Sequence, residues 1–281
     1  TWLYKFYKKN MKLIDCFMYF DENLILDIRL NTLKDHVNEF VIVEAKKSHS
    51  GKEKKINFKI ENFPKFKDKI KYFLIDLPSK VESNKKGWHK SHIRDQFQRN
   101  ALKKGYENSS DNDLIMISDI DEIPNPNKIK EFNFFKNKYA CFIQKNFHLK
   151  LNLLNKTKQN WAGTKICVKK YLKSPQWLRN LKTKKRPFWK IYKSKTPQLI
   201  LDGGWHFNDL KDVDGLRAKI MSSAHQEENI PEISDLKKIS SRLNNLKDIR
   251  GRNYEYKKVN IDNSYPKYII NNLNKFKDWI I

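Results

Sequence analysis

Asp119 and Asp121 are the residues whose spacing most directly suggests chemistry. They follow a run of large apolar residues, 114–117, and a third acid, Glu122, comes next. If the backbone stays extended, the two aspartates project to the same side. Paired carboxylate oxygens suit Mg2+ or Mn2+, which also bind substrate phosphates. The pattern therefore predicts a metal and phosphate site, with ordinary turn chemistry ahead of Pro124 as the alternative.

The apolar run before the acids predicts the element that positions them. A short apolar run between polar residues is typical of a strand buried on both faces of a parallel sheet. Ligands bind outside the carboxyl ends of such strands. Further strands are predicted at 12–20, 40–45 and 70–74, and helices from Asp21 and over 88–104. This alternation predicts a Rossmann-type α/β fold. In the second helix the pattern directs Ile93, Phe97, Ala101 and Leu102 inward, and Gly105 is predicted to end it.

Beyond residue 126 the pattern changes. Ser174-Pro175 predicts the start of a helix, and strand-like segments are found at 139–149, 164–168, 188–192 and 198–201. The pattern of residues 212–281 favours helices with polar breaks. Because no repeat or linker is visible, we expect one catalytic unit, 12–281, after an N-terminal extension, 1–11.

The composition is strongly basic. The 58 Lys and Arg residues exceed the 32 Asp and Glu residues, which gives a formal charge of +26. This charge favours anionic partners, namely nucleic acids, phosphorylated substrates or a membrane surface. The lysines are scattered rather than clustered, however, so codon drift in an AT-rich genome is the alternative explanation.

Several features bear on the cellular compartment. No apolar run is long enough to span a bilayer, and residues 1–10 lack the pattern of a signal peptide. The three cysteines, Cys16, Cys141 and Cys167, are far apart and predict free thiols, buried at 16 and 167. No Cys/His spacing resembles a zinc site. We therefore expect a cytoplasmic protein, with peripheral membrane association as a further option.

An ordered set of motifs resembles glycosyltransferase family 17. The motifs are the segments 15–20, 22–29, 40–45, 48–51, 94–100, 117–124, 204–207 and 265–268. The resemblance implies an inverting transferase of the β-1,4-N-acetylglucosaminyltransferase type, which uses UDP-GlcNAc. It also implies a GT-A-like mixed sheet flanked by helices, with a helical C-terminal part. The chain lacks the membrane anchor and the cysteine usage of a Golgi enzyme, so the donor carries over better than the glycan acceptor.

The resemblance assigns candidate roles to the acids and to His206. A divalent metal, Mn2+ or Mg2+, would bridge the diphosphate, with Asp119, Asp121 and His206 as metal ligands and Asp121 as the most direct one. Asp119 and His206 are also candidate donor contacts, although a histidine of this kind can be structural. Glu122 is a catalytic candidate through a sugar or supporting contact, or else it stabilises the turn.

An inverting displacement also needs a carboxylate that takes the proton of the acceptor hydroxyl. Asp202 and Asp209 flank a Gly-Gly-Trp-His segment and are the candidates, although neither spacing nor resemblance fixes this base. The two glycines predict a close approach of the backbone to another element or to a ligand. His225 is a weaker candidate that could simply end a helix.

The remaining donor-binding candidates are Asp15, Glu44, Arg94, Arg99 and Trp205. Asp15 and Glu44 lie on the first two predicted strands and could contact uridine or ribose. Arg94 and Arg99 could neutralise phosphate or pair with acids, and their spacing directs only one of them to the site. Trp205 could stack on a sugar or pack in the core.

Three other functions compete with this interpretation. A GT-A transferase could use another nucleotide-sugar donor, because the metal and diphosphate chemistry is shared across donors. A metal-dependent nucleic-acid-binding protein would fit the charge, but the sequence shows no nucleic-acid motif. A lectin-like relative would bind glycans without turnover, which the intact acidic cluster argues against.

Overall fold

The first part of the chain alternates strands and helices, as the apolar pattern predicts. The computed structural model describes residues 11–79, 90–184 and 196–281. Strand β1 spans Leu13–Tyr19, helix α1 spans Asn23–Leu33, β2 spans Glu39–Ala45 and β3 spans Ile70–Ile75. β1 and β2 are parallel, and so are β2 and β3. The predicted parallel β-α-β order is confirmed.

Strand β4, Leu114–Ser118, carries the acids at its carboxyl end. It lies beside β1 in parallel, and its other neighbour is an antiparallel strand. Ile115, Met116 and Ile117 are fully buried. The prediction of a buried central strand is therefore confirmed.

The remaining strands extend this sheet mainly by antiparallel pairing. They are β5 Glu122–Pro124, β6 Tyr139–His148, β7 Leu153–Asn155, β8 Asn160–Val168, β9 Gln198–Ile200, β10 Gly204–Asn208 and β11 Tyr256–Lys258. The main order is β11-β7-β6-β8-β4-β1-β2-β3, while β10 pairs with β5 and β6, and β9 pairs with β6. The described residues thus form an eleven-stranded mixed sheet flanked by helices, as the α/β prediction requires.

The other helices are mostly short. They are α2 Lys90–Ala101, α3 Lys103–Tyr106, α4 Pro126–Ile129, α5 Pro175–Arg179, α6 Val213–Ser222, α7 Pro231–Ser234, α8 Leu236–Asn244 and α9 Lys267–Ile270. Ser174 caps α5, because its hydroxyl accepts a hydrogen bond from the amide of Trp177. The C-terminal part is helical, as predicted, although β11 interrupts it.

The inner side of helix α2 agrees with the prediction at Ala101 and Leu102 but not at Phe97. Phe97, predicted to point inward, is 48% exposed, whereas Gln98 and Arg99 are buried. The amide of Gln98 donates to the carbonyl of Val43 on β2. The inner side of α2 is therefore partly polar, because Gln98 and Arg99 bind hydrogen-bonding groups near the carboxyl ends of the strands.

Two apolar layers cover the sheet. Leu26 of α1 packs with Phe17 and Met116 on one face, and Leu102 packs with Cys16 and Ile117 on the other. All three cysteines are free and buried, which confirms the prediction for Cys16 and Cys167. The two faces follow from the strand period of two.

The sequence predicts Gly105 at the end of the helix over 88–104, but in the structure it lies within α3. A Cβ atom at this position would lie 2.2 Å from Cγ1 of Val41 on β2. The glycine therefore allows this helix to approach the sheet closely.

Some predictions fall outside the described residues. These are the strand at 188–192, most of the N-terminal extension and the first two residues of the helix over 88–104. Among the described residues, no helix has the length and apolar character that crossing a membrane requires.

Candidate active site

A cleft of about 490 Å³ lies at the carboxyl ends of the parallel strands. Its walls include Tyr19 at the end of β1, Ser48 after β2, and Asp119 and Asp121 after β4. Helices α2, α5 and α6 and strand β10 complete it. This is the sheet edge at which α/β proteins bind ligands.

The segment 119–122, here called the acidic loop, is fixed from beneath by Arg29. The guanidinium Nη1 donates to the carbonyls of Ile120 and Glu122 at 3.0 and 2.9 Å. The same fully buried group donates to both carboxylate oxygens of Asp15, at 2.8 and 2.6 Å. Asp15 therefore does not line the cleft, as a residue that binds the nucleotide-sugar donor would. It positions Arg29, and Arg29 positions the acidic loop.

Asp119 is bound by two arginines. Arg179 Nη2 lies 2.8 Å from Oδ2, and Arg99 Nη2 lies 3.2 Å from Oδ1. Burial raises the pKa of Asp119, but the charges of Arg179 and Arg99 outweigh it and hold this pKa well below its usual range. Both oxygens of Asp119 thus already have cationic partners.

Glu122 is fully buried and orients Arg179. Its Oε1 accepts hydrogen bonds from Arg179 at 2.7 Å and from the indole of Trp161 at 2.6 Å. Its Oε2 accepts the backbone amide of Asp119 at 3.1 Å. Glu122 therefore supports the loop and an arginine rather than facing the cleft.

Asp121 and His206 face each other at the cleft. Asn146 donates through its amide nitrogen to the carbonyl of Lys158, which directs its Oδ1 to His206 Nδ1 at 2.9 Å. His206 then donates through Nδ1, which directs its Nε2 toward Asp121. That atom lies 3.6 Å from Oδ1 of Asp121.

This pair is the part of the predicted metal set that fits a divalent cation. An imidazole nitrogen and a carboxylate oxygen facing each other need a cation or a proton between them. Burial raises the pKa of Asp121, but His206 and Lys219 outweigh it and keep this pKa below its usual value. Asp119 fits less directly, because two guanidinium groups occupy its oxygens.

Lys219, Arg179 and Trp161 are cleft residues that the sequence did not suggest. Lys219 on α6 donates to Oδ1 of Asn208 at 2.9 Å and lies 3.8 Å from Oδ2 of Asp121. The ring of Trp161 stacks on His206 with centroids 4.6 Å apart. Their contacts join distant segments of the chain, so no local spacing signals them.

The sequence model of glycosyltransferase family 17 matches residues 1–278. The chain belongs to this family. No curated protein matches the chain. A mycobacterial protein of known crystal structure is similar over 52% of this chain, with 11% identity and a TM-score of 0.27. The match covers 43% of that structure, so this chain spans less than half of its length.

In this family 17 chain, only one of the two predicted arginines reaches the acidic loop. Arg99 binds Asp119 and, through Nη1, Asp95 at 2.6 Å. Arg94 Nη1 instead donates to the carbonyl of His49 at 3.2 Å. Their spacing along α2 accounts for the difference.

Glu44 does not line the cleft. It is fully buried and accepts the backbone amides of Asn57 and Phe58 at 2.8 and 3.0 Å, together with the side chains of Lys54 and Tyr72. Its role in the structure is to hold the segment after β2 against the sheet. None of its described contacts places it where it could bind a nucleotide-sugar donor in the cleft.

Trp205 and Asp202 lie at a different cleft, of about 460 Å³. Neighbouring strand residues point to opposite faces of a sheet, so Trp205 faces away from His206. Its indole donates to the carbonyl of Ser264 at 3.0 Å. Neither residue lines the cleft of the acidic loop. Asp202 is therefore not placed to act as a base in that cleft.

Asp209 is buried behind the cleft. Arg250 Nη1 lies 2.7 Å from its Oδ2, and Lys219 Nζ lies 2.9 Å from its Oδ1. Burial raises the pKa of Asp209, but Arg250 and Lys219 outweigh it and hold this pKa well below its usual value. The structure thus gives Asp209 a contact with Lys219 and no opening to the cleft.

The predicted close approach at the two glycines is to another element. A Cβ at Gly204, whose φ is +137°, would lie 2.1 Å from the carbonyl of Ile123 on β5. Glycine is required here by both the backbone angle and the contact. The approach pairs β10 with β5 and so brings His206 beside the acidic loop.

Proposed function

We propose that this family 17 chain transfers N-acetylglucosamine from UDP-GlcNAc to a hydroxyl of a glycan acceptor, with inversion and with assistance from Mn2+ or Mg2+. Family membership supports glycosyl transfer in general. The observation that carries the site is the facing pair of Asp121 and His206, 3.6 Å apart in the cleft. The GT-A type of the fold and the identity of the donor are part of this proposal.

Asp121 and His206 would hold the cation, and Asp119 would lie beside this pair in the same cleft. When bound, the cation would neutralise charge on the leaving diphosphate. Arg99 and Arg179 hold Asp119 ionised and in place. Trp161 stacks on His206 and fixes the plane of its ring.

Lys219 would supply the positive charge that the diphosphate needs on the side of α6. Its ammonium group lies between Asp121 and Asp209. A fixed cation at a position where negative charge develops lowers the barrier without reorganisation. Asp209 therefore acts through Lys219 rather than on the acceptor.

The base is assigned to Glu22 in place of the two predicted aspartates. Glu22 lines the same cleft as Asp121. Its Oε2 accepts the amides of Phe20 and Asp21 at 3.0 and 3.1 Å, which fixes the carboxylate at the end of β1. Asp95 also lines the cleft, but its two oxygens are bound by Arg99.

Turnover with a panel of UDP-, GDP- and CMP-sugars tests the proposal, with Mn2+, Mg2+ or a chelator. We expect release of UDP from UDP-GlcNAc that chelator abolishes. Turnover of a different sugar nucleotide would keep the cleft and overturn the sugar assignment. Absence of both turnover and UDP binding, or salt-sensitive binding of generic RNA or DNA instead, would overturn glycosyl transfer at this cleft.

Asp121→Asn tests the metal pair directly. The amide cannot replace the charged ligand, so we expect metal-dependent turnover to fall by roughly 100-fold or more. Asp202→Asn is the matched control, since Asp202 is exposed at the other cleft. Full activity of Asp121→Asn would remove the metal assignment.

A further inference from the structure

Two histidines and a glutamate meet at the rim of the cleft, apart from the acidic loop. His92 lies in the first turn of α2, and His225 and Glu227 lie just after α6. One ligand atom of each side chain lies within 4.8 Å of the other two. Within 11–79, 90–184 and 196–281, no other three histidine, cysteine or acidic side chains come together in this way.

The two segments that carry these residues are tied together by the protein itself. The hydroxyl of Ser91 donates to the carbonyl of Ala224 at 2.6 Å. The rings of His92 and His225 lie edge to face, with centroids 5.2 Å apart. His225 Nδ1 lies 2.8 Å from Oε1 of Glu227. The three ligands are therefore close before any ion binds.

Solvent reaches this cluster. The side chains of His225 and Glu227 are 62% and 49% exposed, and His92 is half-buried. His92 and His225 also line the cleft that holds Asp121. An ion can thus enter from solvent and would sit at the edge of the same cleft.

We propose that His92, His225 and Glu227 bind a transition-metal ion, with Zn2+ as the best fit. Two imidazoles and one carboxylate form the ligand set of open zinc sites, in which water or another ligand takes the fourth position. Mg2+ prefers oxygen ligands and is a poor match for two histidines. The ligand set therefore differs from the pair of Asp121 and His206, which offers one imidazole and one carboxylate.

A bound ion would link the two walls of the cleft. Helix α2 carries Arg99, and the segment that follows α6 is continuous with Lys219. Coordination across His92 and His225 would add a strong bond between these walls, beside the Ser91 hydrogen bond and the ring contact of the two histidines. The ion is thus a structural brace for the cleft.

The test is Zn2+ binding to the full chain, measured by competition with a chromophoric chelator, with Co2+ absorption as the report on coordination. All three cysteines are buried, so their thiols do not compete in the folded protein. We expect His92→Ala, His225→Ala and Glu227→Gln each to weaken binding by roughly 100-fold or more. Loss of a residue that only hydrogen-bonds to a metal ligand already costs about 10–100-fold. His36→Ala is the control, because His36 is exposed outside the cluster.

The outcomes separate this site from the proposed transferase chemistry. Asp121→Asn should keep Zn2+ affinity while it loses turnover that depends on Mn2+ or Mg2+. Glu227 is exposed, so Glu227→Gln should fold normally and keep the proposal testable if a histidine variant does not. Equal Zn2+ affinity in wild type and in all three ligand variants would overturn the proposal.

Discussion

At the residue scale, Asp121 and Glu122 are adjacent carboxylates with opposite surroundings. Glu122 is fully buried, and its oxygens accept hydrogen bonds from Arg179, Trp161 and a backbone amide. Asp121 keeps its Oδ1 at 3.6 Å from an imidazole nitrogen at the cleft. A buried carboxylate whose oxygens all accept hydrogen bonds from the protein supports the structure. A carboxylate at a cleft with fewer such hydrogen bonds can bind a ligand.

Glu22→Gln should lower kcat by roughly 100-fold or more while it leaves UDP binding intact, because the amide cannot accept the acceptor's proton. The measurement is steady-state turnover together with calorimetric titration of UDP. Asp95→Asn serves as the comparison at the same cleft. An unchanged kcat for Glu22→Gln would remove Glu22 as the base.

Asp209→Asn should lower stability more than chemistry. Removing one partner of a buried ion pair leaves Arg250 and Lys219 partly uncompensated, which costs about 3 kcal/mol of unfolding free energy. Asparagine tolerates the positive φ of +58° at this position, so the backbone is retained. Denaturant unfolding measures the loss. A stability equal to that of wild type would contradict the structural role.

The acids after β4 and Arg99 could be placed at one cleft from the sequence, because the end of a buried strand and the spacing along one helix are local signals. Asp15 and Glu44 were also expected at this edge. Each instead accepts hydrogen bonds from buried groups of the protein. The alternation of side chains along a strand cannot show whether a carboxylate binds such groups or a ligand. Arg179 and Lys219 could not be predicted, because only contacts between distant segments of the chain bring them to the acidic loop.

At the scale of elements, Arg29 makes α1 the support of the acidic loop. Its guanidinium reaches Asp15 on β1, Ser118 at the end of β4 and carbonyls of the loop. Apolar periodicity predicted the helix but not this charged residue on its buried side. In the same way, the apolar pattern of α2 predicted an inward Phe97, although Gln98 and Arg99 are buried and Phe97 is exposed.

Arg29→Lys should destabilise the fold by roughly 3–5 kcal/mol, because an ammonium group cannot bind both Asp15 oxygens and the loop carbonyls together. Thermal and denaturant unfolding measure the effect. Arg217→Lys on the exposed side of α6 is the matched control. If both variants unfold like wild type, Arg29 does not support the loop.

At the scale of the whole molecule, one sheet joins the parallel and antiparallel parts, and the C-terminal helices pack onto it. Helices α6 and α8 form an apolar cluster with Leu149 and Leu153, beside β11. The α/β class followed from the sequence because strand and helix periods are visible in single segments. The pairing order did not, since β10 reaches β5 and β6 through contacts between distant segments.

Acid should weaken this C-terminal region through Asp248. Burial raises the pKa of Asp248, but hydrogen bonds and charge from Arg252 outweigh it, so its pKa lies below the ordinary value. A depressed carboxyl pKa contributes stability that is present above the unfolded pKa, about 3.9, and lost as pH falls through the folded value.

Urea unfolding at pH 7 and pH 3 checks this prediction. We expect Asp248→Asn to cost about 2 kcal/mol at pH 7, since it removes a charged hydrogen-bond partner. It should also reduce the difference in stability between the two pH values. Asp68→Asn, at an exposed position, should behave like wild type. An unchanged difference in the Asp248 variant would assign acid sensitivity elsewhere.

The hydrogen bonds from buried Arg29 to the acidic loop also affect the entropy change when a ligand binds. Fixing one backbone residue costs about 1–2 kcal/mol of conformational entropy. The carbonyls of the acidic loop are already bonded to Arg29 in the free protein, so folding rather than binding carries that cost. Calorimetry of a donor nucleotide should therefore show little entropic penalty from this loop, and affinity should report mainly the ligand's own contacts.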